Sequence, residues 1–177
     1  EVIVSSHHGI LVHVVFSTKY RRPVLSDAWR GDLFAYIAGT IKDQKAIVLQ
    51  SGGVEDHIHL FIRFHPQFAI ASTIQLLKAN SSRWINENSK TRGRFQWQSG
   101  YGAFSVSQSK ADAVKKYIAN QREHHQKWTF RDEYLALTFD LLSREATADV
   151  ISFSRASSSS LEATPAVASQ LGLDGRA

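Results

Sequence analysis

Residues 57–64 read His57-Ile-His-Leu-Phe-Ile-Arg-Phe64, HIHLFIRF. Apolar β-formers fill the stretch, and strand side chains alternate between faces. Ile58, Leu60, Ile62 and Phe64 therefore share one apolar face. His57, His59, Phe61 and Arg63 share the other. The apolar face calls for helices to cover it. The two histidines are two residues apart, so both imidazoles point the same way.

The flanking sequence supplies the partners. Residues 11–18 (LVHVVFST) are β-branched and apolar, a second buried strand. Residues 19–24 (KYRRPV) form a basic loop. Ser26 caps a helix on which Trp29, Leu33, Phe34, Ile37 and Ile41 recur at helical spacing. Residues 46–50 read as a short strand, with Gly52-Gly53 as a breaker after it. A second helix is predicted over 69–86, with Ile70, Ile74, Leu77, Ser81 and Trp84 near one stripe. Residues 91–99 are polar and irregular, and 101–106 read as a fourth strand. Ser109 is the expected cap of a third helix running to about Gln126. The order β-α-β-β-α-β-α contains the split βαβ pattern. The expected class is α+β, ferredoxin-like (RRM-like): a four-stranded antiparallel sheet, two helices on one face, and the last helix toward the other.

The chain has 177 residues, with no Cys and no Met. A disulfide framework, a Cys-based zinc site and a thiol nucleophile are thereby excluded. No apolar run approaches the roughly 18 residues of a membrane span, and no secretory signal is evident, so the expected compartment is cytoplasmic. With Glu1 first and no Met, the start codon is expected to lie outside this sequence. The formal charge of +5 hides an asymmetry. Residues 1–131 hold 18 basic and 9 acidic residues, and residues 132–177 hold 3 and 7. Lys78, Arg83, Lys90, Arg92 and Arg94 lie close together, with Trp84, Phe95 and Trp97 interleaved. Cations neutralise phosphates and aromatic faces stack on unpaired bases; a solvated helix face followed by a basic loop is the plainer alternative. From Ser152 onward the chain is rich in Ser and Ala without periodicity. The expected organisation is one domain over 1–137 and a divergent, largely disordered tail over 138–177.

His57 and His59 make a half-site for a divalent cation, or are two structural histidines on a half-exposed strand. Tyr117 and Gln121 are four residues apart, on one face of the expected third helix. A Gln side-chain carbonyl can ligate a hard cation. A phenol, with an ordinary pKa of about 10, attacks poorly unless activated. Alone, Tyr117 also suits a helix–sheet boundary.

These residues carry a resemblance. His57-Ile58-His59, within VEDHIHLF, matches the His–hydrophobic–His motif, and Tyr117 to Gln121, within KKYIANQ, matches the tyrosine motif. HVVFSTKYRRPV (residues 13–24) and WQSGYGAFSVS (residues 97–107) are similar to the segments that open the domain and lead to its tyrosine helix. Over roughly residues 8–137 the sequence resembles single-tyrosine HUH transposases of the insertion sequence two hundred type, including REP-associated tyrosine transposases. From residue 138 onward no likeness is seen.

The resemblance implies a DNA strand transferase. Mg²⁺ or Mn²⁺ would be held by His57, His59 and Gln121. Tyr117 would attack single-stranded DNA at hairpin-bearing ends, giving a 5′-phosphotyrosine link and a 3′-OH. Family members are homodimers, and the tyrosine helix can complete the partner's site. Candidate DNA contacts are Lys19, Arg21, Arg22, Lys78, Arg83, Arg92, Arg94 and Lys116. Asp56 and His13 are candidates to orient an imidazole from behind; Glu55 and Asp56 suit ordinary turn carboxylates as well. His124 and His125 would offset the dipole at the end of the tyrosine helix. The alternatives are a host-retained relative acting on dispersed palindromic repeats, or a non-catalytic module stacking single-stranded nucleic acid on Phe61.

Overall fold

In the computed structural model, which describes residues 8–124, four strands form one antiparallel sheet. They are β1 (Ile10–Ser17), β2 (Ile47–Gly53), β3 (His57–Phe64) and β4 (Gly102–Ser105). The order across the sheet is β2-β3-β1-β4. β3 thus lies between β1 and β2, which α1 (Asp27–Thr40) connects. This is the expected split βαβ arrangement. α2 (Ile70–Glu87) joins β3 to β4, and α3 (Ala111–Ala119) and the single turn α4 (Gln121–His124) follow.

The alternation of HIHLFIRF produces two cores, one on each face. Val12, Val14 and Phe16 of β1 and Ile58, Leu60, Ile62 and Phe64 of β3 face α1 and α2. Leu33 and Ile37 of α1 meet them, with Ile74, Leu77 and Ile85 of α2. Ser26 caps α1 as expected, accepting from Ala28 N. On the opposite face Leu11 and Phe61 pack against Ala111 and Ile118 of α3. That face is therefore covered. His57 and His59, expected on a half-exposed strand, are fully buried.

Several expectations are corrected. Gly52 and Gly53 do not break β2; both lie within it and pair with His59 and Ile58. On α2, Ile85 is fully buried, while Trp84 sits at the rim, stacked on Tyr36 at 5.4 Å. Phe95 and Trp97, expected among base-stacking aromatics, belong to the core. Trp97 meets Phe16 and Phe95 edge-on and donates from Nε1 to Ser81 Oγ at 2.9 Å. An irregular backbone can still deliver apolar side chains inward, which periodicity does not reveal. Phe61 is likewise fully buried, beneath α3, so it offers no face to a base. Ser109 does not cap the third helix: it lies in a 3₁₀ turn, Gln108–Lys110, and meets Ser107 Oγ at 3.0 Å. That helix also ends at Ala119, and Asn120 (φ −97, ψ 21) separates α3 from α4. The tail expected over 138–177, and His125, lie outside the described residues.

Candidate active site

β3 supplies two imidazoles to the face beneath α3. Their ring centroids are 5.0 Å apart. Each ring has its Nδ1 engaged from behind. His57 Nδ1 lies 2.7 Å from Asp56 Oδ1. Asp56 Oδ2 accepts from Arg21 Nε (3.1 Å) and Nη2 (2.7 Å). Burial pushes the Asp56 carboxyl up, but His57 and then Arg21, by hydrogen bonds and charge, outweigh it and bring its pKa to about 2. The carboxylate is thus ionised at neutral pH and holds a proton on Nδ1 of His57. The outward nitrogen of that ring is then Nε2.

His59 is held by a third histidine. β1 pairs with β3, and the alternation puts His13 on the same face as His59. His13 Nε2 lies 2.9 Å from His59 Nδ1, with the two rings stacked at 5.1 Å. If His59 ligates through Nε2, its proton sits on Nδ1 and His13 Nε2 accepts it. The nitrogens facing outward, His57 Nε2 and His59 Nε2, are both buried, as is Gln121 Oε1. Two imidazole nitrogens and an amide oxygen are a donor set that fits a divalent cation. Among the described residues no three His, Cys, Asp or Glu side chains cluster as a metal site, so a cation held by the two imidazoles would need a third donor of another kind, such as a side-chain amide.

α3 brings the tyrosine. The Tyr117 ring lies 6.0 Å from the rings of both His59 and His13. Gln121 is buried where α4 packs on β2. The two residues do not share one continuous helix, because α3 ends between them; Tyr117 packs with the cluster between α3 and the sheet, while Gln121 is buried beside β2. Gly52 allows this approach. A Cβ there would stand 1.9 Å from the Ile118 carbonyl oxygen. Sequence reading missed this role, although a strand glycine is a known signal of close backbone approach.

The basic candidates separate into three groups. Arg21 is drawn to Asp56. Lys78 is half-buried: its Nζ donates to the Gln98 and Gly100 carbonyls and lies over the Phe16 ring, and burial lowers its pKa. It fastens the loop before β4. Lys19, Arg22, Arg92 and Arg94 line a common hollow beside Tyr20, Arg83 lies with Arg94 on a neighbouring groove, and Lys116 is exposed on α3. Tyr20 was not singled out by the sequence. It and Arg21 adopt left-handed backbone (φ 58 and φ 52), a conformation costing about 1–3 kcal/mol for each non-glycine residue. The Arg21–Asp56 pair and the bond from Thr18 Oγ1 to the Arg22 carbonyl at 2.7 Å hold that turn.

Residues 6–121 match the family described as Transposase IS200 like. The chain is 27% identical over 124 residues to the ISDra2 transposase TnpA of Deinococcus radiodurans, covering 63% of this chain and 83% of that protein. Two solved structures share the fold. A candidate transposase from Deinococcus radiodurans R1 aligns with TM-score 0.53 and 24% identity, over 66% of this chain and 94% of that one. A REP-associated tyrosine transposase bound to a REP hairpin aligns with TM-score 0.53 and 13% identity, over 71% and 76%.

Proposed function

The chain belongs to the IS200-like transposases, and from that premise we propose that it cleaves and rejoins single-stranded DNA through Tyr117. Membership implies DNA transposition and, with it, DNA cleavage. The observation that carries the finer reading is the approach of the Tyr117 ring to 6.0 Å from His59, above a buried pair of β3 imidazoles. His57, His59 and Gln121 would hold Mg²⁺ or Mn²⁺. When bound, the cation polarises the scissile phosphate and offsets the charge that builds on it.

The chain's own residues do the rest. Asp56 and His13 fix the tautomers and orientation of His57 and His59. α3 holds the Tyr117 hydroxyl over the same face. The phenol oxygen attacks phosphorus, losing its proton as the O–P bond forms. The bond from phosphorus to the 3′ oxygen breaks, and that oxygen leaves as a 3′-OH after taking up a proton. The 5′-phosphate remains on Tyr117. A 3′-OH then attacks the phosphotyrosine, restores a phosphodiester and returns the phenol. Bond energy is conserved, so no nucleotide triphosphate is consumed.

The substrate in this reading is a hairpin-bearing single strand, and the working form is a homodimer. In the described residues α3 covers the sheet of its own chain, which supports assembly of each site within one subunit. A base-stacking module without chemistry loses its support, because Phe61 is buried.

The decisive experiment incubates the protein with a labelled single-stranded hairpin oligonucleotide in Mg²⁺ or Mn²⁺, followed by a denaturing gel. A covalent protein–DNA band is expected for the wild type, absent with chelator and absent in Tyr117→Phe. A band that persists in Tyr117→Phe removes Tyr117 as the nucleophile.

A further inference from the structure

Two basic segments are pinned together just beyond β1. Lys19 N donates to the Gln96 carbonyl (2.9 Å), Lys19 Nζ to Gln96 Oε1 (2.8 Å), and Tyr20 N to Gln98 Oε1 (3.2 Å). Between them is a hollow of ≈ 120 Å³, with Lys19, Tyr20, Arg22, Arg92 and Arg94 in its wall. Among the described residues no carboxylate lines it. None of the ion pairs among the described residues involves Arg22, Arg92 or Arg94. Like charges gathered in a concavity focus a positive potential, which draws an anion.

Tyr20 adds a second kind of contact. It is 78% exposed, the most exposed large apolar side chain among the described residues. Its backbone is held in the left-handed region, a strain that clusters at ligand sites. Lys19 Nζ lies 5.4 Å from its ring centroid. An exposed ring beside a cationic hollow is what an unpaired nucleotide needs: a face for the base and charge for the phosphate. A base inside a duplex is stacked on both sides and cannot lie on the ring. The position is also informative. Ser17 pairs with His57, and Thr18 N donates to the Asp56 carbonyl at 2.8 Å. The hollow therefore opens at the end of the sheet where His57 lies.

We propose that this hollow seats one unpaired nucleotide of the DNA strand, its base on Tyr20 and its phosphate among Arg22, Arg92 and Arg94. The proposal rests on the reading of the chain as acting on single-stranded DNA.

The test uses the full chain carrying Tyr117→Phe, so that binding is measured without cleavage. Two fluorescein-labelled probes are compared by anisotropy: a hairpin with unpaired flanks on both sides, and its stem as a blunt, fully paired two-strand duplex with no loop. The flanked probe is expected to bind more tightly. Adding Tyr20→Ala weakens it by about tenfold or more and leaves the blunt probe unchanged, while Tyr20→Phe retains the affinity. Arg92→Ala and Arg94→Ala each lower the slope of log affinity against log salt by about 1 on the flanked probe. Unchanged affinity of Tyr20→Ala for the flanked probe overturns the seat, as does an equal loss on both probes. A parent protein that binds neither probe overturns the single-stranded DNA reading itself.

Discussion

At the residue scale, Asp56 ties two tasks together. One oxygen holds His57 and the other holds Arg21 of the strained turn. Its folded pKa, about 2, lies below the ordinary 3.8. Its contribution to stability is therefore complete above 3.8 and lost as pH falls through about 2, and it amounts to about 2 kcal/mol. In metal-free protein, Asp56→Asn is expected to be less stable than wild type by about that amount near pH 6, the gap closing below pH 4. Urea unfolding across that range measures it; a gap independent of pH would mean that the carboxylate charge contributes nothing. The period of two in HIHLFIRF made His57 and His59 legible as a pair, and Asp56 was visible beside them. The part played by His13 was only half legible. Its face follows from alternation, but its contact with His59 depends on the β1–β3 register, which one strand alone does not specify.

At the scale of elements, the site is a helix laid on a sheet face, and Gly52 sets how close it lies. A methyl group at Gly52 would overlap the Ile118 carbonyl, a backbone atom that cannot swing aside. Gly52→Ala is expected to lift α3, costing about 1–3 kcal/mol of stability and at least about tenfold in phosphotyrosine yield. Thermal unfolding and the gel assay check the two effects. Near-normal yield in a stable Gly52→Ala protein would show that α3 reaches the imidazoles by another route. The sequence made the order of elements readable, because helix and strand periods differ and Ser26 caps α1 where expected. It did not make the glycine pair readable, since one signal serves both a turn and a close approach. The break at Asn120 was equally hidden, as KKYIANQ carries neither proline nor glycine. Phe95 and Trp97 were misjudged because neighbouring arginines made their segment look solvated.

At the scale of the whole molecule, the question is whose tyrosine serves which imidazoles. Packing of α3 on its own sheet makes a mixing experiment informative. Neither Tyr117→Phe nor His57→Ala is expected to form the covalent adduct alone, and a refolded mixture of the two is expected to form none either. Adduct in the mixture would show exchange of the tyrosine helix between subunits. No helix of the described residues is long and apolar enough to cross a membrane. The Gly52 contact has a further consequence for how the protein tolerates mutation. Every amino acid other than glycine carries a Cβ, so no single replacement at that position keeps the helix where it lies. In a saturation library, position 52 should behave as intolerantly as Tyr117 while never touching substrate. A profile of permitted substitutions would therefore mark it as catalytic, although what it provides is the absence of one carbon.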